Sequence, residues 1–172
     1  MLKKETIDYI IRNRKFERTF DDYLNYGILI GPVAIMLIGC SMLFSYFRFN
    51  GGGTLFLSAI ILLVFGLFAC FFVVKRLQQN ITFICLECTN DFDLDSFGQK
   101  LEERFPRAKI DLDKDLKTIV AVTKMTAFSW GEQLTIIVDR DGVLVNSRPN
   151  SSRQPITILK DSQNIKRVRQ LL

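Results

Sequence analysis

Two stretches of the chain contain no charged residue: Gly27–Phe47 (GILIGPVAIMLIGCSMLFSYF) and Thr54–Val74 (TLFLSAIILLVFGLFACFFVV). At about 1.5 Å of rise per residue, a helix of either length reaches roughly 30 Å, the thickness of a bilayer's hydrocarbon core. A helix in a soluble bundle keeps one polar face, and neither stretch has one. The link Arg48-Phe49-Asn50-Gly51-Gly52-Gly53 is too short for anything but a tight reversal, which its glycines allow. The pattern therefore predicts a transmembrane helical hairpin over residues 27–74, with its two ends on the same side. A cleaved leader fits poorly, because a second full-length apolar run follows the first at once.

Upstream, Ile7, Ile10, Ile11, Phe20, Tyr23 and Leu24 recur at helical spacing with Arg12, Arg14, Lys15 and Arg18 between them. This predicts an amphipathic cytosolic helix within residues 1–26. Its apolar stripe has two destinations, the anionic membrane surface or the soluble domain, and the basic flank favours the membrane surface.

Beyond Lys75-Arg76 the period shortens to that of strands, read over Asn80–Thr89, Thr118–Met125, Gln133–Asp139, Gly142–Asn146 and Ile156–Leu159. Asp141-Gly142 has the composition of a hairpin turn. Helices are predicted over Asp91–Phe105, with Leu94, Phe97, Leu101 and Phe105 on one face and Pro106 ending it, and from about Asp161 to the end. The expected fold is an α+β membrane protein: a two-helix transmembrane hairpin, then a cytosolic domain over residues 78–172. In that domain a mainly antiparallel sheet is covered on one face by two helices.

Composition adjusts this picture in three ways. The net charge of +5 gathers around the apolar runs, with Lys3, Lys4, Arg12, Arg14, Lys15 and Arg18 before them, Lys75 and Arg76 after, and only Arg48 in the turn. The positive-inside rule then puts both termini in the cytoplasm, and no nucleic-acid partner is needed to explain the charge. Histidine is absent, which removes Ser-His-Asp and Cys-His nucleophile activation and histidine metal sites. The chain is thus expected not to be an enzyme and to need no cofactor.

Phe128-Ser129-Trp130-Gly131-Glu132, followed by Asn146-Ser147, Gln154 and Asp161-Ser162-Gln163-Asn164, resembles a pattern found in small bacterial two-span inner-membrane proteins of uncharacterised activity. The likeness covers the architecture and roughly the last fifty residues. It implies a bacterial inner (plasma) membrane location and nothing catalytic.

Candidate chemistry lies in four places. Cys85-Leu86-Glu87-Cys88 is a single CxxC; with neither a second pair nor histidine it falls short of a zinc site, and buried structural cysteines are expected. Asp91, Asp93, Asp95 and Glu102 follow the spacing of a calcium loop, but Ser96 stands where glycine is required, so helix capping is the expectation. Asp111, Asp113 and Asp115 read as a solvated turn between strands. Trp130 and Glu132, with Arg148, Arg153 and Lys160 of the following polar loop and helix start, form the candidate contact surface.

For helix packing, Gly27 and Gly31 form a GxxxG pair with Gly39 further along; the hairpin's own second helix is the expected neighbour, and a homo-oligomer contact the alternative. The functional expectation is a non-enzymatic, membrane-anchored interaction or scaffold protein, held by the lipid bilayer and serving a protein partner. The competing expectation is a small-ligand or lipid-headgroup binding module with a pocket near Trp130, Glu132 and Arg148.

Overall fold

The computed structural model describes residues 2–50, 52–88, 92–124, 131–140, 142–151 and 160–172. The chain divides into two compact units, Phe20–Leu77 and the combination of Met1–Thr19 with Gln78–Leu172.

The first unit holds the long apolar helices. A short helix α2 (Phe20–Leu24) and one 3-10 stretch (Asn25–Leu29) lead into α3 (Ile30–Phe49), and α4 begins at Gly53 and ends at Ile81. Only 6% of the most apolar window of Phe20–Phe49 and 17% of that of Gly53–Ile81 is buried, so neither is the core helix of a soluble fold, and both are long and apolar enough to cross a membrane. Tyr46 meets Phe56 at 5.1 Å between ring centres, and Gly39 lies against Ala59 and Leu63, so α3 and α4 run antiparallel. Asn50 closes α3 in the left-handed conformation at φ 49°, which asparagine tolerates better than most residues.

Because no helix breaker follows Val74, α4 continues through Lys75 and Arg76 and takes in Asn80 and Ile81, which the pattern had assigned to a strand. The helix ends where the Thr82 hydroxyl donates to Gln78 O at 2.8 Å. What remains of that expected strand is β1 (Ile84–Leu86).

The second unit is an antiparallel five-stranded sheet in the order β1-β5-β4-β3-β2, with β2 Lys109–Asp113, β3 Thr118–Val122, β4 Glu132–Asp139 and β5 Gly142–Pro149. Helix α5 (Leu94–Arg104) enters between β1 and β2, and α6 (Lys160–Arg169) follows β5. The α5 start is fixed by Asp93, whose carboxylate accepts from the backbone N–H groups of Asp95 and Ser96 at 3.3 and 3.0 Å. One sheet face packs Leu86, Ile119, Leu134, Ile136, Val143 and Val145 against Phe97, Leu101 and Phe105 of the α5 region and Val168 of α6.

The opposite face is covered too, which corrects the expectation of a membrane-lying amino-terminal helix. Helix α1 spans only Lys4–Asn13, and Arg14 turns the chain at φ 56°. Phe16 N–H then donates to Ile81 O and Phe83 N–H to Arg14 O, both at 2.8 Å, and Arg14 meets Asp139 at 3.3 Å. Ile7, Ile10 and Phe16 thereby bury against Phe83, Ile137 and Leu144. Burying such a side chain contributes roughly 1.5–3 kcal/mol. Ile7 and Ile10 are so occupied and unavailable to lipid, and the one helix expected within residues 1–26 is replaced by α1 and α2, with Phe20, Tyr23 and Leu24 of α2 left exposed. Cover on both faces is why β4 reads as a nearly continuous apolar run, broken only by Thr135 in Leu134-Thr135-Ile136-Ile137-Val138, rather than as a clean alternation.

A second correction concerns the aspartates after Ala108. Asp111 and Asp113 belong to the edge strand β2, whose Lys109-Ile110-Asp111-Leu112-Asp113 alternation turns Ile110 and Leu112 to the core. The turn begins after them, with the Asp113 carboxylate accepting from Leu116 N–H at 3.0 Å. The expected strand Ile156–Leu159 and the residue Asp141 of the hairpin lie outside the described residues.

Candidate functional site

Glu132 opens β4, and the register decides which way it faces. Gln133 pairs with Arg148, and Glu132 pairs with Pro149, so Glu132 shares a face with Leu134 and Ser147, whereas Arg148 shares the other with Leu144 and Asn146. The two residues expected to join in one contact surface therefore lie on opposite faces of the sheet. Arg148 stacks its guanidinium over the Phe16 ring, 4.2 Å from its centre, so it packs the amino-terminal segment onto the sheet. Trp130 and Arg153 lie outside the described residues, and Lys160 is the first residue of α6.

On its own face Glu132 is 1% exposed and helps line a cleft of about 280 Å³. Arg104 and Arg107 reach this cleft from the end of α5 and the turn after it, Lys124 from beyond β3, and Arg167, Gln163 and Asn164 from α6. Each is positioned by ordinary folding constraints. Pro106 ends α5 and throws Arg107 into the turn that leads to β2. Thr123 and Glu132 extend the β3–β4 ladder by one rung: Thr123 N–H donates to Glu132 O at 2.9 Å, and Glu132 N–H donates to the Thr123 hydroxyl at 2.8 Å. The α6 side is pinned by the buried amide of Asn164, which donates to the Ser147 hydroxyl at 3.1 Å. Arg104 donates to the Gln170 side chain at 3.1 Å, and Arg167 lies over the Phe105 ring at 5.8 Å.

Gly131 makes the corner that delivers Glu132. Its φ is +86°, and a Cβ there would collide with the Thr123 carbonyl, so only glycine fits. Among the described residues the lining carries four cationic side chains and one carboxylate, a formal charge of +3 within a concave surface. Such an arrangement can hold a small anion by charge-assisted hydrogen bonds.

The remaining candidates resolve otherwise. Cys85 is exposed on β1 rather than buried, because its side chain faces away from the core that Leu86 enters, while Cys88 packs at the edge of that core. Asp93 caps α5, and Asp95 pairs with Lys114 at 2.6 Å, whose ammonium is pushed to a higher pKa by that hydrogen bond and by the carboxylate's charge. Asp91 lies outside the described residues. Gly39 packs closely, with a Cβ there 3.0 Å from Leu63 Cγ and 3.1 Å from Ala59 O, whereas Gly27 and Gly31 meet nothing within 4 Å. Among the described residues the expected GxxxG contact is thus absent; the hairpin's close approach uses Gly39 and, on α4, Gly66 against Pro32 and Met36.

Arg104, Arg107 and Lys124 carry no signal in the sequence beyond ordinary surface charge, and Arg167 stands only among the basic residues Lys166 and Arg169. Only the ends of α5, β3 and α6 meeting over Glu132 make them a group. Comparison with protein-family models, curated proteins and solved structures finds no match to the chain.

Proposed function

We propose that the chain is a non-catalytic, membrane-anchored module that binds an anionic ligand in the cleft beside Glu132. The observation that carries this reading is the convergence of Arg104, Arg107, Lys124 and Arg167 on one concavity of about 280 Å³. It is preferred to the flat contact surface because Glu132 and Arg148 face opposite ways. The two long apolar helices supply the anchor. Lys and Arg concentrated outside the hairpin turn support a cytoplasmic placement of both termini, and the likeness to small two-span proteins supports a bacterial inner membrane. The complete absence of histidine supports a binding rather than a catalytic role.

The test is calorimetric titration of inorganic phosphate into the full-length protein in phosphatidylcholine nanodiscs. The variant is Arg107→Glu with Lys124→Glu, both exposed in the folded domain. The wild type is expected to bind saturably and more weakly in high salt, and the variant to lose at least about tenfold in affinity. No binding by the wild type, or equal binding by the variant, would sink the reading.

A further inference from the structure

Resting on the reading of the cleft as an anion site, we infer that its ligand carries two linked phosphoryl groups, each held by one of two cation pairs. The four cations of the lining sort by what positions them. Arg104 donates to Gln170, just beyond α6, and Arg167 of α6 lies over Phe105, just beyond α5, so these two guanidinium groups are fixed where α5 and α6 meet. Arg107 and Lys124 instead share the end of a ladder. The β2–β3 pairing stops there at Lys109 with Val122, and each of the two cations stands two residues outside that pair.

Among the described residues none of the four cations pairs with a carboxylate. Both carboxylate oxygens of Glu132 are closed to solvent, so Glu132 lowers the charge of the lining without meeting a ligand. The segments that continue the chain from Lys124 and lead into Lys160, residues 125–130 and 152–159, contain no aspartate or glutamate to cancel the excess. Like charges held in one concavity repel, and a bound polyanion relieves that repulsion. A single phosphoryl group supplies about −1.5 to −2 at pH 7 and leaves a lining of +3 positive, whereas two linked groups cover it. A dicarboxylate brings one charge per group and falls short. Two cation pairs also call for two anionic centres, and guanidinium groups bind phosphoryl oxygens through paired N–H donors. A cleft of about 280 Å³ admits a small diphosphate, either free or as the headgroup of a lipid.

The experiment is calorimetric titration of the full-length protein in phosphatidylcholine nanodiscs with inorganic phosphate, pyrophosphate and citrate. Pyrophosphate is expected to bind at least about tenfold more tightly than inorganic phosphate, because the second pair adds charge-assisted hydrogen bonds. It should also outbind citrate, which spreads its charge over separate carboxylates. Arg107→Gln with Lys124→Gln, and likewise Arg104→Gln with Arg167→Gln, neutralise one pair without reversing its charge. Each should remove most of the pyrophosphate preference while inorganic phosphate, served by the remaining pair, loses far less. A variant that weakens both ligands by the same factor overturns the inference. If the Arg104 and Arg167 variant does not fold, the Arg107 and Lys124 variant, altered only at exposed side chains, decides alone. Equal binding of phosphate and pyrophosphate by the wild type, or tightest binding of citrate, overturns the inference and leaves the anion site standing; failure of all three to bind overturns both. A last arm assigns the source: doping the nanodiscs with farnesyl diphosphate lowers the apparent pyrophosphate affinity if a lipid headgroup is the ligand, and leaves it unchanged if the ligand is free. Either result supports the diphosphate.

Discussion

The side-chain amide of Asn146, in the middle of β5, donates to Thr82 O at 2.8 Å and lies 3.1 and 3.4 Å from Asn80 O and Gln79 O. Carbonyl oxygens only accept, so it is the amide nitrogen that faces them. One buried side chain thus brings its two N–H donors to the carbonyls where α4 ends, and secures that end to the sheet. Asn146→Leu should leave these part-buried carbonyls without this donor and cost about 1 kcal/mol. Asn146→Asp should cost more, since a carboxylate would then face three carbonyl oxygens. Chemical denaturation of the two variants in detergent, with hydrogen exchange over residues 79–82, checks both the size and the order of the effects.

Gly131→Ala should destabilise the domain by more than about 1 kcal/mol, because the left-handed backbone and the Thr123 carbonyl both exclude a Cβ. Since the same corner delivers Glu132 to the cleft, anion affinity should fall together with the melting temperature. A variant that melts like the wild type would show that the corner is not fixed as described.

Gly39→Leu should weaken the apolar hairpin, because the new side chain has only Ala59 O and Leu63 to enter, at an overpacking cost of about 1–3 kcal/mol. Gly27→Leu and Gly31→Leu, placed where nothing lies within 4 Å, should leave the detergent melting temperature unchanged. The contrast separates helix packing from helix propensity, which the three substitutions change in the same direction.

A variant keeping Cys85 as its only cysteine should react quickly with a membrane-impermeant maleimide when purified, since Cys85 is exposed on β1. In intact bacterial spheroplasts the same variant should label only after permeabilisation. Labelling before permeabilisation would place the sheet domain outside the cell and overturn the cytoplasmic orientation.

The apolar helices, the α+β class and most strand positions were legible because they depend on local quantities. Chargeless runs of sufficient length, an Asp93 cap before Leu94 and a Pro106 stop after Phe105 act within a few residues of the chain. Local reading failed where two readings of a segment were equally good and a distant partner chose between them. Lys109–Asp113 alternates like a strand, yet its two aspartates, with Asp115 beyond them, look like a turn until β3 pairs with it. The Ile7–Ile10 stripe suits lipid or protein, and Ile137 with Leu144 settles which.

The site divides along the same line. By itself the sequence determined that Glu132 sits beside a glycine at the start of a strand, and that the basic residues are many. Only the tertiary structure decided that Arg148 turns away to Phe16 while Arg104, Arg107, Lys124 and Arg167 gather over Glu132. The physical reason is that a strand's side chains alternate faces, so a single step of register separates Glu132 from Arg148. A cleft, moreover, is made by the ends of elements far apart in the chain, whose meeting no local pattern records.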